Sequence, residues 1–333
     1  MTYSKMHHCP AVAIFLAFCA ILAGPVQPAA VQEKTWTPTI SLDATTGVIS
    51  GGATEYVYDS GYKMSELDWA STPLFYWGLG VDLRFPAGLY LNVGLKSGIS
   101  GPTGYMTDSD WQNWDGVKTN FSESTSYTDQ AFRLGVQAGW DFKLLDSLKI
   151  GPFLELGYLD YEWSARDGYV QYPAEIYPST DSNGNPLYAP YTPISANTPI
   201  VDIYGIGIVY QQSTFYPALG FRVSYQPLDR LNMSASFAAT PLVFMSETDN
   251  HVARSIIFTS TMSRGLLLEP RLDVEYRFTD ALGLGLHVEY LRIQGLTGDL
   301  TQTDEYGNSS TNPSGAGAAW RAFDFGLSFK VRI

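Results

Sequence analysis

The 333-residue sequence predicts an all-β fold, a ten-stranded antiparallel transmembrane β-barrel whose extracellular loops carry its polar sites. Three observations predict it. The chain opens with an export signal, its later apolar residues alternate with polar ones over long runs, and its connections are alternately short and long. Aromatic residues make up 14% of the chain and include 22 Tyr, which suits the aromatic girdles of such a barrel.

The first 30 residues have the organisation of a secretory signal peptide. Lys5, His7 and His8 precede the apolar run AVAIFLAFCAILAG, and the small residues of VQPAA follow it. That run, of about 14 residues, is too short for a spanning helix, which needs roughly 20. We therefore expect residues 1–30 to be removed on export and residues 31–333 to form a single domain.

Composition excludes several kinds of site. Both cysteines, Cys9 and Cys19, lie in the leader, so the mature chain offers no disulfide, no thiolate nucleophile and no cysteine-ligated zinc. Twenty basic residues against 33 acidic ones give a net charge of −13, which argues against nucleic acid as a partner. The same charge favours cationic partners through long-range attraction.

The alternation is clearest in the C-terminal run RAFDFGLSFKVRI. One face of this predicted strand is apolar and carries Phe323, Phe325, Leu327, Phe329, Val331 and Ile333. Comparable runs begin at Ala87, Gln130, Leu231, Leu266 and Leu282. Runs of about 10 to 17 residues exceed the 5 or 6 that are usual for a secreted β-sandwich, which is the soluble alternative.

The connections between these runs fall into two classes. Short turns are predicted near Phe85, Leu145, Gln226 and Phe278. Longer polar loops are predicted at 101–127, 167–200 and 298–316, with shorter ones at 59–64 and 247–255. Four turns and five loops join ten strands, which returns both termini to the periplasmic side. The long runs also predict that the barrel rises well above the membrane.

Two polar clusters fall on the predicted outer side. MTDSDW places Asp108 and Asp110 two residues apart, and SETDNH places Glu247, Asp249 and His251 at the same spacing. In extended chain this spacing directs side chains to one face. Asp249 could orient His251 as a general base for water, which the Asp108–Asp110 pair would hold from the opposite side.

Each cluster alone is also common in solvated loops, and a metal site built from carboxylates and one histidine is the alternative chemistry. The run from Leu231 is apolar at odd positions, yet Glu247, Asp249 and His251 are odd as well. A change of phase is therefore predicted near Pro241. His287 falls on the polar face of its run and is predicted to line the lumen.

Four stretches together resemble one family. They are GGATEYVYDSGYKMSELDW (Gly51–Trp69), MTDSDW, GYLDYEWSARDGY and SETDNH. In this order and spacing they are similar to the omptins, the outer-membrane aspartate/histidine endopeptidases. The resemblance extends over essentially the whole mature chain. It implies a multi-pass protein of the bacterial outer membrane with its active site outside, no cofactor, and hydrolysis of peptides or proteins after basic residues, arginine preferred.

The resemblance also implies residue roles. Asp108, Asp110, Asp249 and His251 match the catalytic positions, with no metal. Glu55 and Glu247 match the acidic residues of the pocket for the side chain before the cut, and Glu247 stands where omptins have an aspartate. Ser122 and Ser124 match substrate-binding positions. Because many omptins have an acidic residue where this chain has Ser122, selection of a basic residue after the cut is not expected.

A second departure concerns lipid. Glu162 and Ser213 stand where the family pattern has arginines, and Phe215 stands where it has a lysine. These positions face lipid and are associated with lipopolysaccharide, so only weak lipopolysaccharide dependence is expected. Two other functions remain open at this point: a catalytically inactive barrel acting as a surface adhesin or receptor, and a passive pore.

Overall fold

The computed structural model describes residues 38–113, 115–173, 179–180, 186–187 and 192–333. The predicted signal peptide lies outside these residues, as does part of the long loop predicted at 167–200. In the described part of the chain, no helix is long and apolar enough to cross a membrane.

Sixteen β-strands follow one another along the described chain. They are β1 (Thr39–Asp59), β2 (Tyr62–Arg84), β3 (Leu89–Gly98), β4 (Gly101–Asp110), β5 (Asn120–Trp140), β6 (Phe142–Leu145), β7 (Leu148–Gln171), β8 (Ser179–Thr180), β9 (Pro186–Leu187), β10 (Val201–Leu228), β11 (Leu231–Thr240), β12 (Phe244–His251), β13 (Ile256–Ser263), β14 (Leu266–Arg277), β15 (Leu282–Thr303) and β16 (Ser309–Arg332). Two 3-10 turns, Pro86–Gly88 and Val252–Arg254, complete the elements.

Fourteen of these strands form one antiparallel sheet, and β8 and β9 pair only with each other. The sheet closes because β1 pairs with β2 on one side and with β16 on the other. Four positions in the ring are each occupied by two successive strands: β3 with β4, β5 with β6, β11 with β12, and β13 with β14. Ten positions remain, so the predicted ten-stranded barrel is confirmed.

The outward face of the wall carries an apolar belt. On β16, Phe323, Phe325, Leu327 and Phe329 are exposed, whereas Asp324 between them is buried in the lumen. The apolar run from Phe323 to Val331 spans about nine residues, close to the 9–11 that a tilted strand needs to cross hydrocarbon. We call this outward zone, with its counterpart from Leu282 to Tyr290 on β15, the apolar belt.

At the level of the belt, charged side chains fill the lumen in pairs. Arg133 donates to Glu269 over 2.7 Å and also contacts Glu289. Nearer the short turns, Arg222 donates to both carboxylate oxygens of Asp141, at 2.8 and 2.7 Å. These pairs leave a cavity of about 180 Å³, as expected of narrow barrels, whose interiors are filled by side chains. A wide aqueous pore therefore finds no support.

His287 lies among these groups, as the polar phase of its strand predicted. Its Nε2 is 3.1 Å from the Tyr76 hydroxyl and 3.3 Å from Asp324 Oδ1. This histidine is buried at the depth of the belt, whereas the polar clusters lie at the outer end of the barrel.

The predicted loops are shorter than the sequence indicated. Residues 101–127 were predicted to be a long loop, but β4 and β5 occupy all except 111–119. Only 304–308 separate β15 from β16, where a loop at 298–316 was predicted. Polar segments leaving neighbouring strands satisfy their backbone groups by pairing with each other, which extends the wall upward. The predicted rise above the membrane agrees with this extension.

Candidate active site

Asp108 and Asp110 lie on a strand rather than in the loop that the sequence predicted. β4 is held between β2 and β5, where Asp108 pairs with Leu67 and Ser122. Ser65 donates a hydrogen bond to Asp108 Oδ1 over 3.1 Å. Both neighbours fix the backbone of the pair, so the carboxylates project from a rigid part of the wall.

Asp249 and His251 lie on β12, and both side chains are buried. His251 Nε2 is 2.6 Å from Asp249 Oδ2. The Phe258 ring meets the imidazole edge to face, with 5.3 Å between ring centroids. This packing and the hydrogen bond hold the imidazole in one orientation.

One extra residue places this pair inside the barrel. β10 pairs Leu219 with Ala239, and further up it pairs Phe215 with Phe244. Between these two pairs, the segment of β10 is one residue shorter than the facing segment, which contains Pro241. Such a bulge reverses which residues face inward. The change of phase predicted near Pro241 is therefore present, and β12 directs Glu247, Asp249 and His251 to the lumen.

The sequence did not identify Arg254 as part of the site. It ends the 3-10 turn that follows His251, and side chains three residues apart in such a turn lie one above the other. Its guanidinium contacts His251 Nδ1 and lies 3.4 Å from Nε2. The sequence carried only a weak signal, a basic residue three positions after a histidine, and the turn that brings the two side chains together is visible in the structure alone.

The two carboxylate clusters interact across the barrel mouth, above the apolar belt. Burial, followed by the charge of Asp110, raises the pKa of Asp108 to about 7. Burial also raises the pKa of Asp110, which interacts with His251 and Arg254. Two carboxyl groups this close cannot both ionise easily. Near neutral pH the pair therefore retains part of a proton.

Glu55 and Glu247 come together beneath the clusters, and both are buried. Glu247 accepts hydrogen bonds from the Tyr210 hydroxyl and from Ser260 Oγ, each 2.7 Å long. Burial raises its pKa to about 7. Glu55 Oε2 is buried without any hydrogen-bond partner. Burial and then the charges of Asp249 and Glu247 raise the pKa of Glu55 well above its usual range.

The wall beside these glutamates is aromatic. Trp69 stacks on Tyr210 with 5.3 Å between ring centroids, and Tyr210 is the donor to Glu247. In the described chain, none of the ion pairs includes Glu55 or Glu247. An acidic, partly dry recess with an aromatic side can bind a guanidinium or an ammonium group.

Ser122 and Ser124 are buried on β5, next to the Asp108–Asp110 strand. Ser122 pairs with Asp108 across the two strands. For the residues that the structure describes, no three His, Asp or Glu side chains are arranged so that they could hold a metal ion.

Comparison with known proteins identifies the family and a solved structure of similar fold. The family model described as the Omptin family matches residues 37–331. The crystal structure of the outer membrane protease OmpT from Escherichia coli superposes with a TM-score of 0.77 and 18% identity, covering 91% of this chain and 100% of that chain. At this identity the likeness concerns the fold.

Other solved barrels are less similar. The translocator domain of the autotransporter NalP from Neisseria meningitidis gives a TM-score of 0.32 and 10% identity, covering 96% of this chain and 95% of that chain. Neisserial surface protein A gives 0.28 and 10%, covering 88% and 97%. No curated protein sequence matches the chain.

The burial of Glu55 predicts a dependence of stability on pH. Its raised pKa means that the folded protein binds this proton more tightly than the unfolded chain. Its contribution to stability is therefore greatest below the ordinary pKa of glutamate and is lost as the pH rises through the folded-state pKa. Glu55→Gln, which stays neutral, should unfold at a higher temperature than the wild type at about pH 8, with a difference that shrinks toward about pH 4.

The measurement is the heat-induced unfolding of the refolded barrel, followed by tryptophan fluorescence across this pH range. Glu305→Gln, at an exposed position of the rim, is the matched control and should not shift the transition. Identical transition temperatures for Glu55→Gln and the wild type at high pH would show that Glu55 carries no such penalty.

Proposed function

The chain belongs to the omptin family, and we propose that it is an endopeptidase of the outer membrane that cuts after basic residues, with arginine preferred. The observation that carries the proposal is the convergence of three buried or half-buried groups at one barrel mouth. They are the Asp108–Asp110 pair, the Asp249–His251 pair, and the recess formed by Glu55 and Glu247. Residue types and positions match the roles that the family resemblance implies.

In the proposed reaction, Asp249 accepts the N–H of His251 Nε2, which leaves Nδ1 as the proton acceptor. A guanidinium only donates hydrogen bonds, so its contact with Nδ1 is compatible with this tautomer. Arg254 must leave Nδ1 before water can approach. Its side chain is exposed at the end of a short turn, so this displacement breaks little packing.

Water held between His251 and the Asp108–Asp110 pair then attacks the scissile carbonyl carbon. His251 takes the proton from the water as the C–O bond forms, and the imidazolium is stabilised by Asp249. The proton passes to the amide nitrogen as the C–N bond breaks, which yields a carboxylic acid and an amine. A partly protonated aspartate pair could donate a hydrogen bond to the developing oxyanion.

The acidic recess accounts for the proposed choice of arginine. Among the described residues the recess has no cation of its own: Glu55 Oε2 has no partner, and the donors to Glu247 are two neutral hydroxyl groups. An incoming guanidinium would favour the ionised forms of both carboxyl groups, whose pKa values burial raises. A guanidinium can bridge two carboxylates through its fixed fork of donors, which an ammonium cannot do.

The first prediction concerns the catalytic groups. His251→Ala or Asp249→Ala should abolish cleavage of a fluorogenic arginine peptide, because His251, oriented by Asp249, is the base that takes the proton from water in the proposed reaction. Asp108→Ala and Asp110→Ala should each reduce kcat/KM by several orders of magnitude. The barrel should remain heat-modifiable on gels, since these side chains lie above the belt.

Asp160→Asn is the matched control, because Asp160 lies on the outer face of β7 and accepts hydrogen bonds from Gln130 and Ser213. It should retain wild-type turnover. Full activity of the His251→Ala protein would refute the mechanism. A folded wild type that cleaves no basic peptide would instead favour the inactive adhesin or receptor.

Specificity gives another prediction. Glu55→Gln or Glu247→Gln would leave an incoming guanidinium partly unpaired, which should cost about 2–5 kcal/mol in kcat/KM for arginine substrates. Substrates with an uncharged residue at that position should lose less. Glu305→Gln should behave as the wild type.

The side after the cut is tested by the same cleavage profile. With Ser122 at the position where many omptins have an acidic residue, residues without positive charge should be accepted after the cut. A profile that requires two basic residues in succession would contradict this assignment of Ser122.

Dependence on lipopolysaccharide is predicted to be weak. Glu162 and Ser213 face outward above the belt, with Asp160 between them accepting a hydrogen bond from Ser213 Oγ. An anionic phosphate here would meet like charge. Arg133 and Arg222 cannot compensate, because both point into the lumen.

Activity in plain detergent should therefore be close to its maximum. The measurement is kcat/KM for the arginine peptide during a titration with lipopolysaccharide. Stimulation of about tenfold or more, equivalent to ~1.4 kcal/mol of barrier, would show that this part of the wall does not decide the dependence.

A further inference from the structure

Two arginines stand opposite each other on the outer wall, away from the candidate active site. Arg292 on β15 and Arg321 on β16 are direct partners in the antiparallel register. Both side chains are exposed, in phase with the outward residues of their strands. Facing residues on one side of a sheet have Cβ atoms about 5 Å apart, so the two guanidinium groups share one patch of surface.

The pair lies immediately above the apolar belt. One step below it, Tyr290 and Phe323 pack against each other with 4.7 Å between ring centroids. Below these rings the outward face stays apolar to Val331 and Leu282. An aromatic rung at the end of a membrane-length apolar run marks the boundary between hydrocarbon and headgroups.

The two positive charges have no counter-charge nearby. On the neighbouring strands, Arg292 pairs with Leu268 of β14 and Arg321 pairs with Gly52 of β1. Throughout the described residues, no carboxylate lies within ion-pair distance of either guanidinium. Like charges directly opposite each other destabilise a sheet. An anion that bridges the two arginines removes this penalty.

We propose that Arg292 and Arg321 form a binding site for the phosphate of a lipid headgroup in the adjoining leaflet. Two guanidinium forks can hold phosphate oxygens by charge-assisted hydrogen bonds, and each is more weakly hydrated than an ammonium group. The ligand is a lipid rather than free phosphate because the Tyr290–Phe323 rung and the belt below it supply a surface for acyl chains.

This site is separate from the acidic part of the wall. Asp160 and Glu162 lie on β7, four ring positions from β15. Neither arginine touches the candidate catalytic residues, so the expected consequence of binding is a more stable barrel rather than faster cleavage. The inference does not depend on the proposed protease activity.

The test uses the refolded full barrel in nanodiscs of phosphatidylcholine doped with phosphatidic acid, which carries a phosphate monoester. Native mass spectrometry counts retained phosphatidic acid, and heat-modifiability gives the unfolding temperature. Arg292→Gln with Arg321→Gln should bind about twenty-five-fold more weakly, since each arginine near an anionic surface contributes a factor of about five. Lysine at both positions should restore part of the affinity.

The matched control removes two exposed positive charges at the opposite end, Lys149→Gln with Arg230→Gln, and should bind phosphatidic acid as the wild type does. Equal retention by the wild type and the double arginine variant would overturn the proposal. Equal stabilisation of the wild type by inorganic phosphate in undoped nanodiscs would overturn the assignment to a lipid. Stabilisation by phosphatidic acid alone, lost only in the arginine variant, is the result expected.

Discussion

The candidate site depends on one extra residue in the wall. Between Ala239 and Phe244 the chain contains one residue more than the facing segment of β10, and this bulge exchanges the two faces of the strand. Below it the outward residues form part of the belt, and above it the same phase carries Glu247, Asp249 and His251 inward. Without the bulge these polar side chains would face outward, away from Glu55 and Asp108.

The pairing of buried charged side chains differs between the two halves of the lumen. At the level of the belt, each buried acid has a basic partner. Glu269 pairs with Arg133, and Asp324 pairs with Lys96. At the mouth, five acids lie close together, with Arg254 as their nearby cation: Glu55, Asp108, Asp110, Glu247 and Asp249. Burying such groups unpaired costs stability. A site that retains this cost is suited to binding a cation from outside.

The period-two pattern was sufficient to predict the strands and the short turns, and the spacing of two residues singled out the two polar clusters of the mouth. The roles of their residues, and the choice of Glu55, Ser122 and Ser124, came from the family resemblance. The period-two pattern failed at residues 101–127, because a polar segment that pairs with another polar segment has no apolar face to reveal the strand. Arg254 was missed because its position beside His251 depends on a local turn. The Arg292–Arg321 pair was missed because it depends on the register between two strands. Sequence alternation specifies which face a residue occupies, but not which residue stands opposite.

Register also makes the outer wall electrostatically uneven. On β7, Asp160 is satisfied by the amides of Gln130 and Gln211 and by the Ser213 hydroxyl, so this stretch needs no ion from the membrane. On β15 and β16, the two arginines have aromatic and aliphatic neighbours that cannot neutralise them. Because exposed charges are screened within about 8 Å at physiological salt, each patch acts on the lipid it touches. On the assignments proposed above, anionic lipid should gather on the side of the wall away from Glu162.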